Sequence, residues 1–226
     1  MPRLQWDKPG EHYYENGVSN GVLFKALDNG QGYEKGVAWN GLTNVTQSPT
    51  GGELSAVYAD NIKYLNLMSA EEFAGSIEAY TYPDEFMECD GSAEPVEGLK
   101  LDQQPRKSFA FCYQTKVGSD ANPELGFKLH IIYGALASPS ERAYETINDS
   151  PEAMQLSWDI NCTPVPVKGY KPTAHIELDS RKVPEAKMTS ILNALYGVDA
   201  DPDHQIEGSD PTLLLPDAIM DILKAQ

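Results

Sequence analysis

The chain is poor in cysteine, in positive charge and in long apolar runs, and each shortage removes a class of protein. Cys89, Cys112 and Cys162 are an odd number with no CxxC spacing. A disulfide framework is therefore not expected, and a reducing compartment suits the three thiols. Seventeen Lys and Arg stand against 34 Asp and Glu, a formal charge of −17. Nucleic-acid binders place Lys and Arg on phosphates, and anionic membranes attract the same residues. A chain of this sign does neither. No apolar run approaches the ~20 residues that cross a bilayer, so no membrane insertion is expected. The stretch MPRLQWDKPGEHYY has no apolar segment of the signal-peptide kind. The sequons at Asn44, Asn148 and Asn161 are then read as chance.

Chemistry-bearing motifs are also scarce. His12, His130, His175 and His204 are too scattered to group as zinc ligands. His130 and His175 fall on polar strand faces and are read as surface or network histidines. Gly30, Gly32 and Gly36 miss the dinucleotide fingerprint by one position and follow no strand. Asp199, Asp201, Asp203, Ile206, Glu207 and Asp210 partly imitate a calcium loop. His204 stands where that loop needs glycine, Pro202 fills its fourth position, and its last ligand is Asp210 instead of Glu. A solvated acidic loop is the reading kept. No catalytic residue, metal or cofactor is expected.

What the chain does have is alternation. Met154, Leu156, Trp158, Ile160 and Cys162 oppose Gln155, Ser157, Asp159, Asn161 and Thr163, the period of a half-buried strand. Phe73, Ile77 and Ala79 likewise oppose Glu72, Ser76 and Glu78. Phe109, Phe111 and Tyr113, then Phe127, Leu129, Ile131 and Tyr133, predict an antiparallel hairpin. Tyr58, Ile62, Leu65 and Leu67 form another apolar run of β type. Thr173–Asp179 closes the strands with Ala174, Ile176 and Leu178 inward. From Pro184 the period becomes helical through Met188, Ile191, Leu192, Leu195 and Tyr196, with Gly197 as stop, and Pro216 opens a final helix. A short helical turn is expected after Pro83.

Many short strands with few helices predict a mainly β chain, an antiparallel β-sandwich or barrel with flanking short helices. Three regions follow: an N-terminal arm and loops over 1–36, the β domain with its flanking helix over 37–198, and an acidic loop with a C-terminal helix over 199–226. Trp6, Tyr13, Tyr14 and Phe24 are read as anchors by which the arm docks, and Trp39 as a core or interface anchor. Glu78 and Asp159 are the one carboxylate pair that a β-scaffold glycosidase could use. Trp6 and Trp39 are possible carbohydrate platforms, and Trp158 belongs to a core.

Several blocks carry a resemblance: AWNGLT (Ala38–Thr43), YADNIKYLNL, EAYTYPDEFMECDG, QPRKSFAFCYQT (Gln104–Thr115), YGALASPSERAYETINDSPEAM (Tyr133–Met154), TPVPV (Thr163–Val167) and KPTAHIELDS (Lys171–Ser180). With them the chain resembles the major tail tube proteins of long-tailed, non-contractile (siphovirus) bacteriophages, of the Gram-positive-host type, from about residue 5 to residue 197. The resemblance implies a hexameric ring, an inner sheet that joins its neighbours in an inter-subunit β-barrel, and rings stacked into a tube. It further implies a tape measure protein and tail terminator and distal tail proteins as partners. Its place is the virion tail, assembled in the bacterial host cytoplasm, with viral DNA passing through unbound. Six copies carry −102 per ring (6 × −17). An acidic bore releases no counterions to DNA and so offers it no hold.

Two sets of polar residues are candidates for lining that bore: Glu72, Ser76 and Glu78, or Gln155, Ser157, Asp159 and Asn161. Contacts between subunits are expected from residues 1–36, 47–57 and 137–152, and deletion of residues 1–24 is expected to leave a folded monomer. The readings set against the tube are a monomeric β-sandwich binding module, lectin-like or receptor-binding, and an acidic glycoside hydrolase.

Overall fold

The computed structural model describes residues 3–28, 32–144, 146–147, 149, 153–201 and 207–225. Gly30, Asn148, Pro202, Asp203, His204 and Ile206 lie outside them. The strands are β1 (Tyr13–Lys25), β2 (Val37–Trp39), β3 (Leu42–Gln47), β4 (Thr50–Gly51), β5 (Leu54–Ala59), β6 (Ile62–Met68) and β7 (Glu71–Glu72). They continue with β8 (Ala74–Ala79), β9 (Ala93–Val96), β10 (Leu99–Leu101), β11 (Phe109–Ser119), β12 (Gly126–Ala137), β13 (Leu156–Cys162) and β14 (His175–Asp179). The helices are α1 (Glu185–Tyr196) and α2 (Pro216–Lys224), with a 3-10 turn at Asp84–Glu88.

One antiparallel sheet organises the molecule, in the order β2-β1-β11-β12-β13-β8-β3, with β14 also paired to β12. The switch of partner happens within β12. Its first part pairs with β14 as far as Ile132 opposite His175, and its last residues pair with β13 from Ala135 opposite Cys162. Between them β12 carries one more residue than β11 opposite, a bulge that raises local twist and bends the strand. Gly134, at φ +58°, sits at that bend.

The bend curls the sheet around its first core. Leu23, Trp39, Phe109, Phe111 and Ile132 from one half meet Ile77, Leu156, Trp158 and Ile160 from the other. The expected sandwich is thus a single curled sheet whose two halves face each other. β11 is buried on both faces. Phe109, Phe111 and Tyr113 point into the first core, while Ala110 and Cys112 point into a second with Phe24, Leu129, Ile131 and Leu178. α1 and α2 cover that second face through Met188, Ile191, Leu195 and Ile219. Lys187 of α1 donates to the carbonyls of Leu223 (2.6 Å) and Ala225 (2.7 Å), placing a cation at the C-terminal end of α2.

Two boundaries drawn from the sequence are corrected. Residues 13–25 are not part of an arm but form β1, paired along its length with β11. The Gly- and Asn-rich composition hid this, because the bulges of β1 fall in its polar half and the buried run Val22–Phe24 is short. A deletion of residues 1–24 would remove most of a core strand with Val22, Leu23 and Phe24, and is now expected to prevent folding instead of leaving a folded monomer. At the other end, α2 is packed into the second core and does not form a separate tail.

Candidate functional site

Beyond the sheet, β3 and β8 continue as a projecting ribbon. β4 pairs with β7 and β5 with β6, so Leu42–Ala59 runs antiparallel to Ile62–Ala79 with short interruptions. Asp60 and Asn61 turn the tip with φ of +50° and +65°, the left-handed pair of a type I′ hairpin. The twelve residues from Ser48 to Ala59 reach roughly 40 Å at about 3.3 Å each. Every residue of β5 and β6 is exposed. Among them are Leu54, Val57, Tyr58, Ile62, Tyr64 (69%), Leu65, Leu67 and Met68 (70%). An isolated two-stranded hairpin is marginal in water, and apolar groups at this density mark an interaction surface.

The candidate bore-lining sets, kept apart in the sequence, fall together. Ser157 stands opposite Glu78, Asp159 opposite Ser76 and Asn161 opposite Ala74. β3 adds Asn44 and Thr46 to the same face. Gln155, just before β13, donates to Glu78 (2.9 Å) and to Thr43 (2.8 Å). Ser76, Glu78, Ser157, Asp159 and Asn161 thus share one face, opposite the core, in which Glu78 and Asp159 are the charges and both are acidic. Glu72 does not join it: it lies in β7 on the ribbon, opposite Thr50. Glu78 and Asp159 are diagonal neighbours on adjacent strands, on an open face instead of in a cleft.

The anchors divide. Trp6 (73% exposed), Tyr13 and Tyr14 stand in solvent. Phe24 (0%) and Trp39 (2%) are core residues and cannot anchor a neighbour. Trp39 donates its indole N–H to the carbonyl of Thr81 (2.9 Å) and packs edge-on against Phe111 and Trp158. With Trp39 and Trp158 both buried, neither can serve as a glycan platform.

A third feature is polar and internal: of the two readings given for His130 and His175, surface or network, the structure shows a network. His130 is buried and its Nδ1 lies 3.3 Å from Nε2 of His175. Nε2 of His130 meets Thr115 (3.1 Å) and Glu15 (3.3 Å), and Lys128 bridges Glu15 (2.7 Å) and Glu177 (3.0 Å). Gln47 reaches His175 (3.3 Å) and Tyr113 (2.8 Å). A cavity of ≈ 440 Å³ opens beside this network. Among the described residues no group of three or more His, Cys, Asp or Glu is placed to hold a metal. Burial and the neighbouring His130 push the His175 imidazole down to about 4 from its ordinary 6.5, and burial lowers His130. A base whose folded pKa is depressed charges more readily when unfolded. Stability tied to neutral His175 is therefore complete above pH 6.5 and is lost as pH falls toward 4. Denaturant titrations at pH 7 and pH 4.5 should show a smaller difference for His175→Phe than for the natural chain.

No family model matches the chain, and no curated protein matches it. Among solved structures it is similar to a chain of the "Cryo-EM structure of the anti-feeding prophage (AFP) baseplate, 6-fold symmetrised", with a TM-score of 0.35 and 10% identity, over 80% of this chain and 98% of that one. A likeness at that score transfers neither a role nor a partner. The functional reading has to come from the ribbon, the sheet face and the charge.

Proposed function

We propose that the chain is the main structural subunit of a bacteriophage tail tube. Copies join into hexameric rings, the rings stack, and the polar face of β3, β8 and β13 lines an acidic bore through which DNA passes. In this reading the chain is not an enzyme and needs no cofactor. The observation that carries it is the β5–β6 ribbon, which exposes eight large apolar side chains that no described part of the chain covers. Head-to-tail contacts between copies generate closed rings when the rotation closes. The unpaired margins of β3 and β14 supply edges for such joining. The acidic face supports the bore assignment, since like charge leaves DNA nothing to settle on.

The test is assembly. Concentrated full-length protein should form rings or tubes visible by negative-stain microscopy. Ile62, Leu65 and Leu67 share one side of the ribbon, because the register shift at Tyr64 brings Ile62 onto the face of Leu65 and Leu67. Replacing all three with serine should raise the concentration needed for assembly at least tenfold, because each buried apolar side chain contributes about 1.5–3 kcal/mol. The melting temperature of the isolated monomer should change little, because these side chains are exposed and belong to neither core. A natural chain that stays monomeric at every concentration, or a triple variant that assembles as readily, would overturn the proposal.

A further inference from the structure

The base of the ribbon is tied to the body of the sheet by a column of rings. Phe73, between β7 and β8, stacks on His175 with centroids 5.1 Å apart and planes 9° apart. His175 lies edge to edge with His130, their planes nearly parallel (5.5 Å, 17°), while His130 stacks on Tyr113 (4.7 Å, 8°) and Tyr113 on Phe111 (5.7 Å, 24°). The column crosses β14, β12 and β11 and ends in the first core. We propose that its two imidazoles are an acid-operated latch: neutral, they hold Phe73 and the ribbon stem against the sheet, and when both are charged they release them. The inference concerns the single chain and does not rest on assembly.

The geometry sets the logic. His130 Nδ1 and His175 Nε2 face each other at 3.3 Å, so one must donate and the other accept. A charged imidazole carries hydrogen on both nitrogens. One charge can still be accommodated, but with two charges donor faces donor and like charges stand in contact. His130 is held on its far side by Glu15 and Thr115. Among the described residues no carboxylate backs His175, whose Nε2 is met by the Gln47 amide at 3.3 Å. His175 abuts a cavity of ≈ 610 Å³ lined by Ala70, Glu71, Phe73, Pro164, Lys171 and Thr173, which gives both it and Phe73 room to move and gives water access to the charge.

The charged groups around the pair pull in both directions. Glu15 on β1 and Glu177 on β14 favour charge on His130, while Lys128 on β12 opposes it and already occupies both carboxylates. Tyr113 on β11 and Gln47 on β3 are neutral. At the His175 end Glu177 also favours charge, while Glu71 and Lys171 in the cavity wall are of opposite sign. The first proton therefore goes to His130 and the second to His175, where burial and the charge on His130 both resist it.

Hydrogen exchange of the full chain, followed by mass spectrometry from pH 7.5 to 4.5 and corrected for intrinsic rates, tests the latch. Protection over residues 69–74 and 171–177 should fall at least tenfold, while residues 109–117 stay protected. His175→Phe keeps the stack but cannot take the second proton, and should reduce the change to less than twofold. His175→Gln removes ring and charge together, and should leave the stem exchanging at the acid rate at every pH. An unreduced response in His175→Phe would sink the proposal. So would no response in the natural chain, or simultaneous loss of protection across β11. Should His175→Phe fail to fold, His175→Gln decides: a stem as protected as the natural chain's at pH 7.5 overturns the latch.

Discussion

Trp158→Ala should lower the folding stability by about 3–5 kcal/mol, the range for emptying a large aromatic site in a packed core. Trp158 is fully buried on β13 and sits where the two halves of the curled sheet meet. Its ring packs edge-on against Trp39 (5.5 Å), Tyr82 (5.5 Å) and Phe86 (5.2 Å), so β2, the segment after β8 and the 3-10 turn all close on it. It also has a polar task. Its indole N–H donates to Asp90 Oδ1 at 3.0 Å. Asp90 is buried too, with Arg142, Lys100 (3.6 Å) and Arg106 (3.9 Å) around it. Alanine therefore opens a cavity and takes a donor from a buried carboxylate at once. Trp158→Phe separates the two losses. It retains most of the apolar area and should cost about 1–3 kcal/mol, the penalty for leaving a buried polar group short of a partner. Guanidinium denaturation of the three proteins measures both steps. A phenylalanine variant as unstable as the alanine one would mean that the Asp90 contact dominates and the packing account is wrong.

The two-residue period of β8, β11, β12, β13 and β14 was legible because each sets large apolar side chains at every second position against a core, even where, as in β11 and β12, the other face is buried too. The helices were equally plain, since Pro184 and Gly197 bracket α1 and Pro216 opens α2. β1 was not legible: a strand whose polar half is bulged has no regular period. The ribbon was half legible. Tyr58, Ile62, Leu65 and Leu67 read as strands, but a periodic pattern does not reveal that both faces of a hairpin are in solvent. Of the candidate bore-lining residues, Ser76, Glu78, Ser157, Asp159 and Asn161 are polar-face positions of β8 and β13, while Glu72 lies in β7 and Gln155 just precedes β13. That the two sets form one face depends on β8 and β13 being neighbours, a pairing between residues some 80 apart that no local pattern encodes. His130 and His175 were read as surface or network histidines, but their pairing was not legible, for the same reason. His130 and His175 are 45 residues apart and meet only because β14 returns alongside β12.

The topology itself can be tested at one residue. Gly134 lets β12 leave β14 and join β13, and Gly134→Ala should cost on the order of 3 kcal/mol or more. Two effects add. A non-glycine residue at φ +58° is strained by about 1–2 kcal/mol. A Cβ there would also stand 2.4 Å from the carbonyl oxygen of Thr163, a backbone atom that cannot swing aside as a side chain can. Thr163 N–H donates to the Gly134 carbonyl at 2.9 Å, so moving Thr163 away breaks the first contact of the new pairing. Gly52 is the control. It has φ +68° but nothing within 4 Å of an added Cβ, so Gly52→Ala should lose only the conformational part, about 1–2 kcal/mol. Thermal or denaturant unfolding of the two variants isolates the close approach from the dihedral cost. Equal losses at both positions would show that β12 can bend without the tight crossing, and that the curl of the sheet has another origin.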